Sequence, residues 1–172
     1  MKLLAAALAA AVLIPAAAPM AAHAEDITRV YATPEAAIAS IVTVPAGYDT
    51  AYVAGATPGT PGQPRPVGTE AQTLDVLGKI DKLLKDQGYT MGDVVMMRVF
   101  LGVDPDKGGK ADRAGMNAAF KTFFGTAAQP NKPSRTTIAI TDNNPGNFVE
   151  IDAIAAKPHK MAMHKKMVGK KK

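Results

Sequence analysis

Residues 132–156 read KPSRTTIAITDNNPGNFVEIDAIAA, two β-type runs on either side of a cluster of Asn, Pro and Gly. That composition predicts a β-hairpin turning at Asn143-Asn144-Pro145-Gly146-Asn147 and closing the domain. Side chains alternate across a strand, so Arg135, Thr137 and Ala139 are expected on one face and Thr136, Ile138 and Ile140 on the other. On the returning strand Glu150 and Asp152 share a face, and Val149, Ile151 and Ala153 take the opposite one. The mostly apolar sets can serve the core. Arg135 and Glu150 are left together on the less apolar face, within reach of one small ligand.

Outward from this segment, residues 93–103 (DVVMMRVFLGV) form an apolar, β-branched run that suits a central strand buried on both faces. Arg98 interrupts it and needs a partner or an opening to solvent. A turn-rich DPDKGGK (104–110) leads into a helix over about 111–124, with Ala114, Met116, Ala119, Phe120, Phe123 and Phe124 as its apolar content. Upstream, Thr69-Glu70-Ala71-Gln72 fits a capping box in which the Thr hydroxyl and the Gln side chain serve free amides. Leu74, Leu77, Ile80, Leu83 and Leu84 follow at helical spacing, Lys79, Lys82 and Lys85 fall away from that stripe, and Gly88 suits the C′ position. Four prolines and three glycines in residues 57–68 (TPGTPGQPRPVG) make that stretch a loop. Before it, residues 38–44 and 50–55 read as two strands joined at Pro45-Ala46-Gly47. The order β-β-α-β-α-β-β describes a two-layer α/β domain with both helices on one face of the sheet. The other face then needs cover, which a partner subunit would provide.

Composition narrows the chemistry. There is no Cys and no Trp, Ser40 and Ser134 are the only serines, and the three histidines are His23, His159 and His164. A body without His or Cys cannot run a Ser-His-Asp or Cys-His mechanism or build an ordinary structural zinc site. Catalysis would rest on Arg, Asp, Glu, Tyr, Thr or Asn side chains, backbone groups and water. Residues 1–24 have the cationic start at Lys2, the apolar stretch and the Ala22-His23-Ala24 site of a secretory signal, which predicts a periplasmic or secreted protein. Pro15 and Pro19 argue against a retained membrane span. The expected domain, residues 25–156, holds 12 Lys and Arg against 15 Asp and Glu, a balance of −3. The basic pI belongs instead to residues 157–172, a Lys/Met/His tail expected to be a solvated, disordered end. Weak contact with anionic lipid or polyanions, or soft-metal binding by His159, Met161, Met163, His164 and Met167, are the alternatives.

A guanidinium offers a planar fork of donors that matches a carboxylate, and a nearby carboxylate can orient or deprotonate a water. Arg135 and Glu150 would together suit a small molecule with a carboxylate at one end and an electrophilic carbon at the other. The competing reading is a plain cross-strand ion pair.

Several segments in order, AYVAGATP (51–58), residues 69–101, MNAAFKTFFG (116–125), KPSRTTIAI (132–140) and FVEIDAIAA (148–156), resemble the Rid (YjgF/YER057c/UK114) family. The resemblance implies a chorismate-mutase-like α+β fold, a mixed sheet with two helices on one face, and a homotrimer with ligand clefts between subunits. It also implies a cofactor-free deaminase that hydrolyses reactive 2-imino acids, such as 2-iminopropanoate or 2-iminobutanoate, to 2-keto acids and ammonia. Arg135 matches the carboxylate-binding arginine and Glu150 the glutamate that positions water. Asn117 matches a frequent asparagine, Gly55 a glycine bordering the cleft, and Thr137 would offer a backbone amide. The usual G-P-Y-S-Q is not visible in EAAIASIVTVPAG, and the usual S-G-Q is Ala54-Gly55-Ala56. The alternative function is a non-catalytic trimeric protein that binds small carboxylates or acts as a chaperone. An acidic, aromatic-poor body does not suit a nucleic-acid surface.

Overall fold

The strand Val94–Leu101, β4, organises the domain because it is paired on both edges. The computed structural model describes residues 26–141 and 144–159. Ahead of β4 come β1 (Thr28–Val30), β2 (Ile41–Thr43), β3 (Tyr48–Ala56) and α1 (Thr69–Asp86), and after it α2 (Arg113–Phe123), β5 (Ser134–Ala139) and β6 (Val149–Pro158). The main sheet runs β3-β6-β4-β5, with β4 and β5 parallel and the other pairs antiparallel. The result is a two-layer α+β domain with a mixed sheet.

Two expected hairpins are replaced by longer-range pairings. The segment 132–156 does not fold back on itself, because β4 lies between β5 and β6. The physical reason is the crossover: α2 carries the chain back over the sheet, so β5 must run parallel to β4 and takes its outer edge. Likewise β2 pairs with β1, a strand not foreseen, and β3 pairs with β6. The β1–β2 ribbon is tied to the body by Arg29, whose Nη2 donates to Gly92 O at 3.1 Å, and by Ala39 N donating to Pro133 O at 2.9 Å.

The core lies between the helices and one sheet face. Val76, Leu77, Ile80 and Leu84 of α1 and Met116 and Phe120 of α2 pack on Val94, Met97, Val99 and Leu101 of β4 and Val149, Ile151, Ala153 and Ala155 of β6. Burial of α1 is rotated from the expected leucine stripe. Leu74 and Leu83 are 38% and 51% exposed, while Thr73 and Val76 are fully buried. The lysines behave as the pattern suggested, each joined to an aspartate one turn away (Lys79–Asp75, Lys82–Asp86, Lys85–Asp81).

The start of α1 is also built differently. No capping box forms: Gly68 is the N-cap, Thr69 Oγ1 donates to the buried Asp104 Oδ2 at 3.0 Å, and Gln72 turns away to other backbone. Gln72 Nε2 donates to Pro66 O and Gly146 O, and its Oε1 accepts from Phe148 N at 2.7 Å. One buried amide thus joins the proline-rich loop to the entry of β6, and tertiary partners outbid the local cap. At the other end the sequence signal is realised. Gly88 has φ +71°, Gly88 N donates to Lys85 O and Tyr89 N to Leu84 O, a Schellman closure.

β4 is buried on one face only. Met96, Arg98 and Phe100 reach the uncovered side, where Arg98 grips Asp152 through Nη2–Oδ2 at 2.8 Å and Nε–Oδ1 at 3.1 Å. Tyr52, 79% exposed, and Ile138 share that face. Among the described residues no helix is long and apolar enough to cross a membrane. β6 continues to Pro158, and His159 N donates to Gly47 O at 2.8 Å. The expected leader (1–24), Asn143 of the expected turn and Met161, Met163, His164 and Met167 of the tail lie outside the described residues.

The rotated burial of α1 sets up a direct comparison. Leu77→Ala removes a fully buried side chain and is expected to cost about 2–5 kcal/mol. Leu74→Ala, at a half-exposed position, is expected to cost under about 1 kcal/mol. Urea unfolding of both variants measures the difference, and equal losses would place the helix in the wrong rotation.

Candidate functional site

The crossover that makes β5 parallel also lays α2 across the beginning of β5. Asp112 caps α2, its Oδ1 accepting from Gly115 N at 2.9 Å. Asn117 and Phe120, three residues apart on the helix, then face the sheet edge together. Arg135 sits opposite Met97, a fully buried residue of β4, so its side chain points to the helix side. There Nη2 donates to Asn117 Oδ1 at 2.7 Å, and the guanidinium carbon lies 4.4 Å from the centre of the Phe120 ring. Thr137, next along this face, has Oγ1 4.0 Å from Met116 Sδ.

The electrostatics of this arginine are unusual. No carboxylate pairs with it among the described residues, and its Nε and Nη1 are buried with no hydrogen-bond partner. Burial, and secondarily the charge of Arg113, push its pKa below the ordinary arginine value. The shift does not deprotonate it; it expresses the cost of holding a cation out of water without an anion. Each orphaned donor costs about 1–3 kcal/mol, more than the ring face returns. An incoming carboxylate would take Nε or Nη1 as one prong of a fork whose other prong is the second N–H of Nη2. Beside this point lies a cavity of about 350 Å³, walled by Asn117 and Phe120 themselves and by Glu35, Lys121, Phe124 and Lys132.

Glu150 is elsewhere. It stands opposite Phe100 on β4, at an odd separation from Met97, and so faces the uncovered side of the sheet. The expectation that Arg135 and Glu150 share a face therefore fails within one protomer: the intervening strand and the pleat set them on opposite faces. Their plain cross-strand ion pair is absent for the same reason. Glu150 instead rests on Gly55, where a Cβ would lie 2.1 Å from its Oε1. Gly55 occurs in the irregular part of β3, between Val53 and Ala56, where pairing with β6 shifts register. Gly55 also walls a cavity of about 520 Å³ on the uncovered face, with Tyr52, Met96, Arg98, Asp152 and Ile154.

The candidate residues thus divide into two groups. Arg135, Asn117 and Thr137 meet on the helix side, Gly55 and Glu150 on the open side. Sequence reasoning placed Phe120 in the core and missed its ring under the guanidinium; its three-residue spacing from Asn117 was the available signal. Glu35 and Lys121, which wall the cavity, carried no such signal. Among the described residues, no group of three or more His, Asp or Glu is placed to hold a metal ion.

The fold and its buried, acid-free arginine define a small α+β domain with an anion-receptive cation at a helix–sheet edge. Residues 31–157 match the family described as Endoribonuclease L-PSP, and the chain belongs to this family, the Rid/YjgF proteins. Among solved structures it is similar to YyfB of Yersinia pestis, a protein of unknown function in the conserved Rid protein family. That match has 21% identity and a TM-score of 0.57, over 70% of this chain and 87% of that one. The YjgF gene product of E. coli matches at 25% identity and TM-score 0.54, covering 63% of this chain and 80% of that one. E. coli TdcF, solved with bound serine, matches at 24% identity and TM-score 0.54 with the same coverage. No protein of curated function matches the sequence.

The contact between Gly55 and Glu150 predicts a selective effect. Gly55→Ala should force the Glu150 side chain, the flexible partner, into another rotamer visible in a crystal structure. Unfolding free energy should fall by no more than about 1 kcal/mol. A loss above about 3 kcal/mol would show that backbone yields rather than the carboxylate.

Proposed function

We propose that this protein is a cofactor-free deaminase that hydrolyses small 2-imino acids to 2-keto acids and ammonia. The observation that carries the reading is the Arg135 guanidinium, buried against Asn117 and Phe120 with two unpartnered nitrogens and no acid. A substrate carboxylate would bridge Nε and an Nη. With the acid held, the adjacent C=N carbon is fixed in position for water. Water adds to that carbon, giving a carbinolamine; a proton moves to nitrogen, the C–N bond breaks, and ammonia leaves the keto acid. Glu150 would orient the water and accept its proton. Because Glu150 and Arg135 point to opposite sheet faces, the working site takes each from a different subunit. A homotrimer, with the open faces carrying Tyr52 and Ile138 turned inward, supplies that arrangement. Thr137 offers its backbone amide beside the arginine, and Gly55 leaves room for Glu150. Residues 1–24, read as an export signal, put this chemistry in the periplasm or outside the cell.

The same separation of Arg135 from Glu150 favours a second reading, a protein that binds small carboxylates, or shields a client as a chaperone does, without turning anything over. A carboxylate site of this kind needs Arg135 and Asn117 but not Glu150.

The two are separated by generating 2-iminopropanoate with an amino-acid oxidase and following its disappearance. Pure protein should accelerate hydrolysis. Arg135→Ala should lower kcat/KM by about a hundredfold or more, the loss expected when one side of a charged, desolvated contact is removed. Glu150→Gln should lower kcat while carboxylate binding persists. No acceleration together with measurable carboxylate binding selects the second reading, and undiminished activity in Arg135→Ala removes the first.

A further inference from the structure

The charges around the cavity beside Arg135 are not those of the rest of the molecule. On α1 every lysine has an aspartate partner one turn away. Around the cavity the pattern reverses. Lys121 and Lys132 wall it and Arg135 adjoins it, and none of the three forms an ion pair among the described residues. Arg113, close enough to act on Arg135 through its charge, is likewise without an acid partner. Glu35 is the lone carboxylate of the wall. In the wall two lysines stand against one acid, and the acid-free Arg135 adjoins them, in a body whose net charge is negative; that is more positive charge than one carboxylate requires.

The placement is regular. Arg113, Asn117 and Lys121 fall at four-residue intervals along α2, which puts successive members about 6 Å apart on one side of the helix. A carboxylate held by Arg135 lies at the level of Asn117, its hydrogen-bond partner. Lys121 is then one turn further on and faces the same cavity as Asn117 and Phe120. Two carboxylate carbons separated by three or four C–C bonds of about 1.5 Å span about 4–5 Å. The mobile stem of a lysine covers the remainder.

We infer that this site selects small dicarboxylates, four- or five-carbon 2-imino or 2-keto diacids, with Lys121 receiving the second carboxylate. The inference rests on the reading of Arg135 as the carboxylate-binding residue and refines its substrate class. Lys132 contributes field more than contact, since its Nζ is committed to Pro34 O and Ala36 O.

Calorimetric titration of the full protein with succinate and with propanoate, at neutral pH and one fixed ionic strength, tests it without turnover. Succinate should bind about tenfold more tightly. In Lys121→Gln the succinate-to-propanoate ratio should fall to near one. In Lys110→Gln, which removes the same charge from an exposed position outside the cavity wall, the ratio should stay as in the parent. Equal affinity for the two acids, or a ratio unchanged in Lys121→Gln, overturns the dicarboxylate assignment and leaves the small-carboxylate reading standing. Binding of neither acid by the parent protein removes both.

Discussion

A guanidinium held out of water without a counter-ion is the constraint on which the rest of this structure turns. Asn117 takes one of its nitrogens and the Phe120 ring covers one of its faces, yet two donors stay empty. Such a group is costly, and only a well-packed surround keeps it in place. That surround is the β4–α2–β5 crossover, which anchors Met116 and Phe120 in the core and brings Asn117 and the Phe120 ring to the arginine. One helix thus fills the core and holds the guanidinium, and Phe120 takes part in both.

The pleat governs what the arginine can work with. Arg135 shares its direction with Met97, and Glu150 shares its direction with Phe100, so no rotamer brings them into one crevice inside a protomer. On the proposed reading this is the reason for assembly: a second copy supplies the missing carboxylate, and the uncovered face carrying Tyr52 and Ile138 gives the copies something apolar to bury. The ledge on Gly55 fits this view, because a side chain there would displace the carboxylate that the neighbouring subunit needs.

Much of the architecture was legible because its signals are local. Gly88 ends α1 where a left-handed residue is required, Lys79, Lys82 and Lys85 mark its outer face, and the β-branched run within 93–103 is an inner strand, though buried on one face rather than two. What was lost is long-range. Hydrophobic alternation shows that residues 134–139 and 149–158 are strands but not which neighbour each will choose, and the turn residues between them suggested a hairpin that the α2 crossover forbids. The leucines at 74 and 83 misled because leucine is a good helix former on any face, whereas the buried Gln72 is held by Gly146 and Phe148 far along the chain and the buried Thr73 returns its hydroxyl to Thr69 O one turn back. At the site, Arg135 and Asn117, named separately on family resemblance, meet in a 2.7 Å hydrogen bond that no local pattern announced. Pairing Arg135 with Glu150 by alternation failed, since parity within each strand says nothing about parity between strands that do not touch.

The central claim is that the empty donors of Arg135 receive a carboxylate. A crystal structure of the assembled protein soaked with 2-ketobutanoate tests it most directly. The account predicts the acid's carboxylate oxygens within hydrogen-bonding distance of Nε and an Nη of Arg135, near Asn117, with Glu150 of an adjoining copy across the cleft. A guanidinium still sealed against Phe120, with the acid bound elsewhere or not at all, would contradict it.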